Sequence, residues 1–152
     1  MSKKTIAIGC DHGGYQLKLS IIKLLEKQPD KYEVIDCGAY TPERSEYPEI
    51  AHTLCETITS GKAELGILCC GTGLGMSMAA NKHKGIRAAC VSDTFSARLT
   101  REHNNANVLC LGGRVVGHGL AEDIVTLFLE TPFSNGERHV ARVAAVNAFD
   151  EK

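Results

Sequence analysis

The sequence of 152 residues has no apolar run close to the roughly 20 residues that a membrane-spanning helix requires. It also lacks a strong charge bias: the net charge is −1 at pH 7, which excludes the global basic field of many nucleic-acid-binding proteins. The segment Met1–Lys4 leads directly into a predicted strand and leaves no room for a signal peptide. These absences predict a cytoplasmic protein without a membrane or nucleic-acid partner.

Paired cysteines are absent as well, although the chain contains seven cysteines. Their number is odd and no two form a Cys-X-X-Cys pair, so we expect neither a disulfide framework nor a structural zinc site. Most of the cysteines lie inside or at the ends of apolar, strand-like runs. This placement is typical of small buried side chains, and we expect about five or six of the thiols to be of that kind.

What the chain does contain is a regular alternation of strand-like runs and segments with helical spacing. Five such strand–helix units predict a parallel sheet covered by helices on both faces. We therefore expect a single α/β domain over residues 1–152: a Rossmann-like three-layer sandwich with a five-stranded parallel sheet and an extra C-terminal helix. The predicted strands are 5–10, 32–37, 65–70, 86–91 and 108–112, and the predicted helices are 14–27, 48–60, 76–83, 92–103, 117–130 and 137–149.

The segment 69–75, with the sequence CCGTGLG, connects the third predicted strand to a helix. Glycines let backbone N–H groups converge on an anion, and the helix N-terminus adds positive potential that also lowers the pKa of a thiol placed there. A base beside an anion hole suits chemistry that builds negative charge on oxygen. A dinucleotide site is the alternative, but the spacing is GxGxG rather than GxGxxG and the loop follows the third strand, not the first.

Ligands of parallel sheets bind outside the carboxyl ends of the strands, which singles out the residues that follow each strand. These are Asp11 and His12 after the first strand, Cys70 after the third and Arg114 after the fifth. Side chains alternate along a strand, so one of the neighbouring residues Cys69 and Cys70 must face the core. Cys70 adjoins the glycine loop and is therefore the better functional candidate. The structural alternatives are a packed thiol at Cys70, a helix cap at Asp11 and a surface histidine at His12.

Two further groups of polar residues lie elsewhere in the sequence. Arg138 and Arg142 are four residues apart and share a helix face, which is either solvated or, together with a histidine, a phosphate site. His103 and Asn104 precede the fifth strand and so belong to the amino end of the sheet, roughly 15–20 Å from Cys70. Either His103 is unrelated to the Cys70 site or it enters the site of another subunit. The structural alternative is that the asparagine after His103 ends a helix, because asparagine is common at helix C-termini.

Eight short segments, spread in order over nearly the whole chain, carry a resemblance to a known family. The sequence resembles ribose-5-phosphate isomerase type B, which shares its family with the two-subunit galactose-6-phosphate isomerase. The segments are 9–14 (GCDHGG), 36–38 (DCG), 47–48 (YP), 70–75 (CGTGLG), 79–82 (AANK), 85–88 (GIRA), 101–104 (REHN) and 136–139 (GERH).

The resemblance implies a reversible aldose–ketose isomerisation of a phosphorylated sugar through a cis-enediolate, without a metal or other cofactor. It makes Cys70 the base that moves a proton between C1 and C2. Asp11, Thr72 and His103 would assist opening of the furanose ring, with His103 supplied by the partner subunit. Backbone N–H groups of the loop, including Gly71, Gly73 and Gly75, would hold the enediolate oxygens.

The resemblance also assigns the substrate contacts and the assembly. It implies a homodimer with shared active sites, or a dimer of dimers. Some relatives carry a carboxylate base directly after the last loop glycine, but that position is Met76 here, which leaves Cys70 as the base. Asn104 would contact sugar oxygens, Tyr47 would line the pocket, and His12, Arg114, Arg138 and Arg142 would bind the phosphate.

Two alternatives remain open from the sequence. One is an isomerase of a six-carbon substrate, allose 6-phosphate or galactose 6-phosphate, because the sequence does not give the depth of the pocket. The other is a non-catalytic sugar-phosphate sensor on the same fold. Retention of every catalytic position argues against the sensor, since a sensor has no use for a proton-moving base.

Overall fold

The computed structural model describes residues 2–152, and its centre is one sheet of five parallel strands in the order β2-β1-β3-β5-β4. Within these residues no helix is long and apolar enough to cross a membrane. The strands are β1 (Lys4–Cys10), β2 (Tyr32–Asp36), β3 (Leu65–Cys70), β4 (Ala88–Cys90) and β5 (Val108–Gly112). The α-helices are α1 (Tyr15–Glu26), α2 (Tyr47–Thr59), α3 (Leu74–Ala80), α4 (Thr94–Asn104), α5 (His118–Glu130) and α6 (Glu137–Asn147), and 3-10 segments cover His12–Gly14 and Ala148–Glu151.

Helices cover both faces of the sheet and create two apolar layers. Helices α1, α4 and α5 pack on one face, where Ile21 and Phe128 are fully buried, and α2 and α3 pack on the other, where Leu54 and Met76 are fully buried. Strands enclosed in this way are apolar throughout, as all six residues of β3 are. The predicted three-layer α/β fold with an extra C-terminal helix is confirmed.

The predicted boundaries match the observed ones for β3 and β5 and differ most for β4 and α3. Strand β4 is shorter than predicted because the Arg87 N–H donates to the Asn107 side chain (2.8 Å) instead of a neighbouring strand. Helix α3 begins at Leu74, two residues earlier than predicted, because Gly73 adopts a left-handed conformation (φ 81°) that turns the chain directly into the helix. Asp93 caps α4 by accepting from the Ser96 N–H at 2.6 Å.

The strand order positions the site. The chain leaves β1 for β2 on one side and later returns to β3 on the other side, so the connections diverge between β1 and β3. A crevice opens at the carboxyl ends of strands where such a reversal occurs. The loops that follow β1 and β3 flank this crevice, and the loop that follows β5 adjoins it.

Candidate functional site

The loops after β1, β3 and β5 are joined by backbone hydrogen bonds. The Asp11 N–H donates to the Cys69 carbonyl at 3.1 Å, the Gly113 N–H to the Cys70 carbonyl at 2.8 Å and the Arg114 N–H to the Gly71 carbonyl at 3.0 Å. The backbones are so close that a Cβ atom on residue 13 would lie 2.8 Å from the Gly71 nitrogen. Side chains are excluded from these contacts, which explains the glycines of all three loops.

Cys70 ends β3 inside this junction and is only 5% exposed. Its Sγ accepts a hydrogen bond from the Gly73 N–H at 3.1 Å, a donor that α3 presents at its N-terminus. The sulfur thus faces an N–H donor at the start of α3, inside the glycine loop. No acceptor within residues 2–152 is assigned to the N–H groups of Gly71 and Thr72, so they remain able to bind a ligand oxygen.

The other cysteines have a different character. All seven are free, and Cys69 lies on the opposite face of β3 from Cys70. The expectation that one of these two faces the core was too narrow, because helices cover both faces and both thiols are buried. Burial raises the pKa of the remaining thiols, which keeps them protonated near neutral pH: Cys10, Cys37, Cys55 (to about 12), Cys69, Cys90 and Cys110.

Several of the other predicted residues surround Cys70. Asp11 is a helix cap, as one interpretation of the sequence had it: its Oδ1 accepts from the N–H groups of Gly13 (2.8 Å) and Gly14 (3.2 Å). His12 is exposed, and its Nδ1 accepts from the Ser45 N–H at 3.4 Å. We call the following set the carboxyl-end cluster: Asp11, His12, Tyr47, Cys70, Gly71, Thr72, Gly73, Gly75 and Arg114.

The members of the carboxyl-end cluster contact one another. The Tyr47 ring lies against Gly75, since a Cβ atom on that glycine would be 2.7 Å from the ring. The Arg114 guanidinium lies over Gly71, where a Cβ atom would be 3.0 Å from it. The Thr72 hydroxyl accepts from the Leu74 N–H at 3.2 Å and so helps to begin α3. Arg114 therefore lies at the same end of the sheet as Cys70, as its position after the fifth strand predicted.

The remaining predicted residues lie at the opposite end of the sheet. A cavity of about 750 Å³ opens beside the first residues of β4 and the end of α4. His103 and Asn104, the last residues of α4, line it together with His139 and Arg142 of α6. Arg138 adjoins them through a hydrogen bond from its Nε to His139 Nε2 at 3.3 Å. We call His103, Asn104, Arg138, His139 and Arg142 the amino-end cluster.

The strand register measures how far apart the two clusters are. Cys70 pairs with Gly112 at one end of β5, and Gly66 pairs with Val108 at the other end. Four steps along a strand span about 13 Å, and His103 lies beyond the Val108 end. The structure thus confirms that His103 lies far from Cys70 within one chain, and it places Arg138 and Arg142 at the His103 end as well. Asn105, not Asn104, is the left-handed residue (φ 46°) that ends α4.

For two residues near the clusters no role was predicted from the sequence. Lys18 of α1 is 1% exposed, and its Nζ donates to Asp36 Oδ1 (2.8 Å) and to the Ala39 carbonyl (2.5 Å). His139 is buried against His103, with ring centroids 4.2 Å apart. Two features of the sequence could have indicated these residues: a lysine within the apolar stripe of α1 and a histidine next to Arg138. Within residues 2–152 no three His, Cys, Asp or Glu side chains are grouped so as to hold a metal ion.

Several known proteins are similar to this chain over most of its length. The family model described as ribose/galactose isomerase matches residues 6–146. Ribose-5-phosphate isomerase B from Escherichia coli is 45% identical over 149 residues, 98% of each chain. A galactose-6-phosphate isomerase subunit from Clostridium acetobutylicum is 45% identical over 128 residues, 84% of this chain and 73% of that protein. The structure of ribose-5-phosphate isomerase B from Clostridium thermocellum superimposes with a TM-score of 0.93 at 48% identity, over 97% of each chain.

Proposed function

The chain belongs to the ribose/galactose isomerase family and is a sugar-phosphate isomerase, and we propose that it interconverts ribose 5-phosphate and ribulose 5-phosphate. The observation that carries the proposal is the Cys70 thiol, held at 3.1 Å from the Gly73 N–H at the mouth of a glycine loop. Relatives named ribose-5-phosphate isomerase B, similar over nearly the full chain, support the choice of substrate. Residues 1–152 then act as one sugar-phosphate isomerase domain.

Cys70 is the base of the isomerisation. Its thiolate removes the C2 proton of the open-chain aldose, and the electron pair moves through C1 to the carbonyl oxygen and forms a cis-enediolate. The proton of O2 passes to O1, and the Cys70 thiol returns its proton to C1 to give the ketose. The N–H groups of the loop at Gly71 and Gly75 hold the oxygens on which negative charge develops, while the Gly73 N–H stays bonded to Cys70 Sγ.

Opening of the furanose ring precedes this step: a base takes the proton of the C1 hydroxyl, the bond from C1 to the ring oxygen breaks, and an acid gives a proton to that oxygen. Asp11 and Thr72 of the same chain share this role with His103 of the partner subunit. Asn104 of the partner subunit holds sugar hydroxyls, and Tyr47 bounds the pocket. The phosphate lies among positive side chains and provides binding energy remote from the reacting carbons, which orients them. Those side chains are His12, Arg114, Arg138 and Arg142.

A homodimer brings the two clusters together. Helix α6 buries only His139, whereas its Val140 and Val146 are 46% and 58% exposed. The carboxyl-end cluster is likewise bordered by exposed apolar side chains, with Leu74 at 53% and Val115 at 59%. A two-fold interface in which α6 of one protomer covers the loops of the other would bury both surfaces and complete two sites at once.

The test is a rate assay with ribose 5-phosphate and, separately, allose 6-phosphate in the presence of EDTA. Wild-type protein should form ribulose 5-phosphate, and Cys70→Ala should be at least about 100-fold slower with an unchanged circular dichroism spectrum. Cys69→Ala is the matched control, because it removes the neighbouring thiol from the opposite face and should retain activity. An active Cys70→Ala enzyme would refute the mechanism. Activity only with the six-carbon sugar would change the substrate, and activity with neither would favour the sensor.

A further inference from the structure

His139 is the only side chain of α6 that is buried, and it lies between two residues of the proposed site. Its ring stacks on the ring of His103 with centroids 4.2 Å apart and an angle of 8° between the planes. On its edge, His139 Nε2 receives the hydrogen bond from Arg138 Nε at 3.3 Å. The ring therefore touches both a candidate ring-opening residue and a candidate phosphate ligand.

The hydrogen bond from Arg138 defines the state of the His139 ring. A guanidinium can only donate, so Nε2 must carry a lone pair, and the proton of the neutral ring is on Nδ1. Burial, and then the charges of His103, Arg138 and Arg142, lower the pKa of His139. Arg87 and Asp150 line the same cavity, and Asp150 is the only carboxylate among these residues. The cationic form of His139 is thus disfavoured by its burial and by the groups that face it from α4 and α6.

We propose that His139 is a positioning residue of the isomerase: its neutral ring fixes the plane of His103 and the direction of the Arg138 guanidinium. The inference rests on the proposed function, in which His103 and Arg138 contact the substrate. The two effects are separable, because the flat face of the ring acts on His103 and its Nε2 edge acts on Arg138. A protonated His139 would lose the Arg138 bond and repel a charged His103 ring.

Two substitutions separate the face from the edge. His139→Phe keeps a flat ring for stacking but accepts no hydrogen bond, so KM for ribose 5-phosphate should rise about tenfold while kcat stays within about twofold. His139→Gln keeps an acceptor near the Nε2 position but removes the ring, so kcat should fall about five- to tenfold while KM stays within about twofold. A merely structural histidine would give the same change in both variants. Circular dichroism and the oligomeric state are measured for each.

Arg138→Ala and His103→Ala serve as direct controls that separate the two proposals. If both controls impair catalysis but the His139 variants show no opposite split between KM and kcat, the positioning role is refuted and the proposed function stands. If the wild-type enzyme isomerises ribose 5-phosphate and neither control impairs it, the roles of Arg138 and His103 are refuted and the positioning role with them, whereas an inactive wild type refutes the proposed function itself. Should a His139 variant not fold, the imidazole ¹⁵N shifts of the wild-type enzyme decide: the Nδ1–H tautomer at pH 7 supports the proposal, and an Nε2–H or charged ring overturns it.

Discussion

A mixture of two inactive variants, Cys70→Ala and His103→Ala, should regain about a quarter of the wild-type activity if each site takes residues from two subunits of a symmetric dimer. Within one chain, β5 alone holds the two clusters about 13 Å apart, with His103 beyond its far end. A sugar carbon in contact with Cys70 therefore cannot also be close to His103 of the same chain.

The expected value follows from counting. Random reassociation of equal amounts makes about half of the dimers hybrid. Each hybrid has one intact site, built from the normal Cys70 of one subunit and the normal His103 of the other, and one site that has lost both residues. Half of the dimers with half of their sites gives about a quarter of the wild-type rate per subunit.

The assay measures ribulose 5-phosphate formation before and after mixing under conditions in which subunits exchange. Isotopic labelling of one variant shows hybrid formation by native mass spectrometry, and each variant incubated alone is the control. Full hybrid formation with no activity above the unmixed variants would refute the shared site. In that case His103 would be unrelated to the Cys70 site, or both residues would serve one subunit through a rearranged chain.

Three further outcomes are expected. Arg142→Ala should raise KM about 10- to 100-fold with kcat within about twofold, because a phosphate contact is felt equally in the ground and transition states. Steady-state kinetics measure both constants, and an unchanged KM would show that Arg142 is not part of the site. Lys18→Met should lower the free energy of unfolding by about 1–3 kcal/mol in urea titrations, because Asp36 loses a buried donor, whereas Lys31→Met, which removes an exposed ion pair, should cost less than about 1 kcal/mol. Equal losses would contradict the importance of burial. Because the pKa of His139 is lowered in the folded protein, the unfolded chain binds more protons as the pH falls. The stability that is present above about pH 6.5 should therefore decrease as the pH drops through the folded-state pKa. The urea midpoint of His139→Phe should change less than that of the wild type between pH 7 and pH 5, and parallel curves would contradict this.

Strands and their carboxyl ends were predictable because local pattern determines them. The run 65–70 is apolar throughout and is followed by glycines, so both the strand and the position of Cys70 at its end were read without tertiary information. The β4 boundary was wrong because the N–H of Arg87 is bonded by Asn107, a residue 20 positions away. Lys18 of α1 was missed for a similar reason, since its partner Asp36 ends β2 and only folding brings the two together.

The sequence alone determined the α/β class, the thiol beside the glycine loop and the family, since each depends on residue type and order along the chain. The tertiary structure decided which of these residues meet. It placed Arg114 beside Gly71 with Cys70, and it gathered His103, Arg138, His139 and Arg142 at the opposite end of the sheet. Parallel strands put all carboxyl ends on one edge, but strand order and the position of α6 depend on burial of apolar surface between distant segments, which no local pattern encodes.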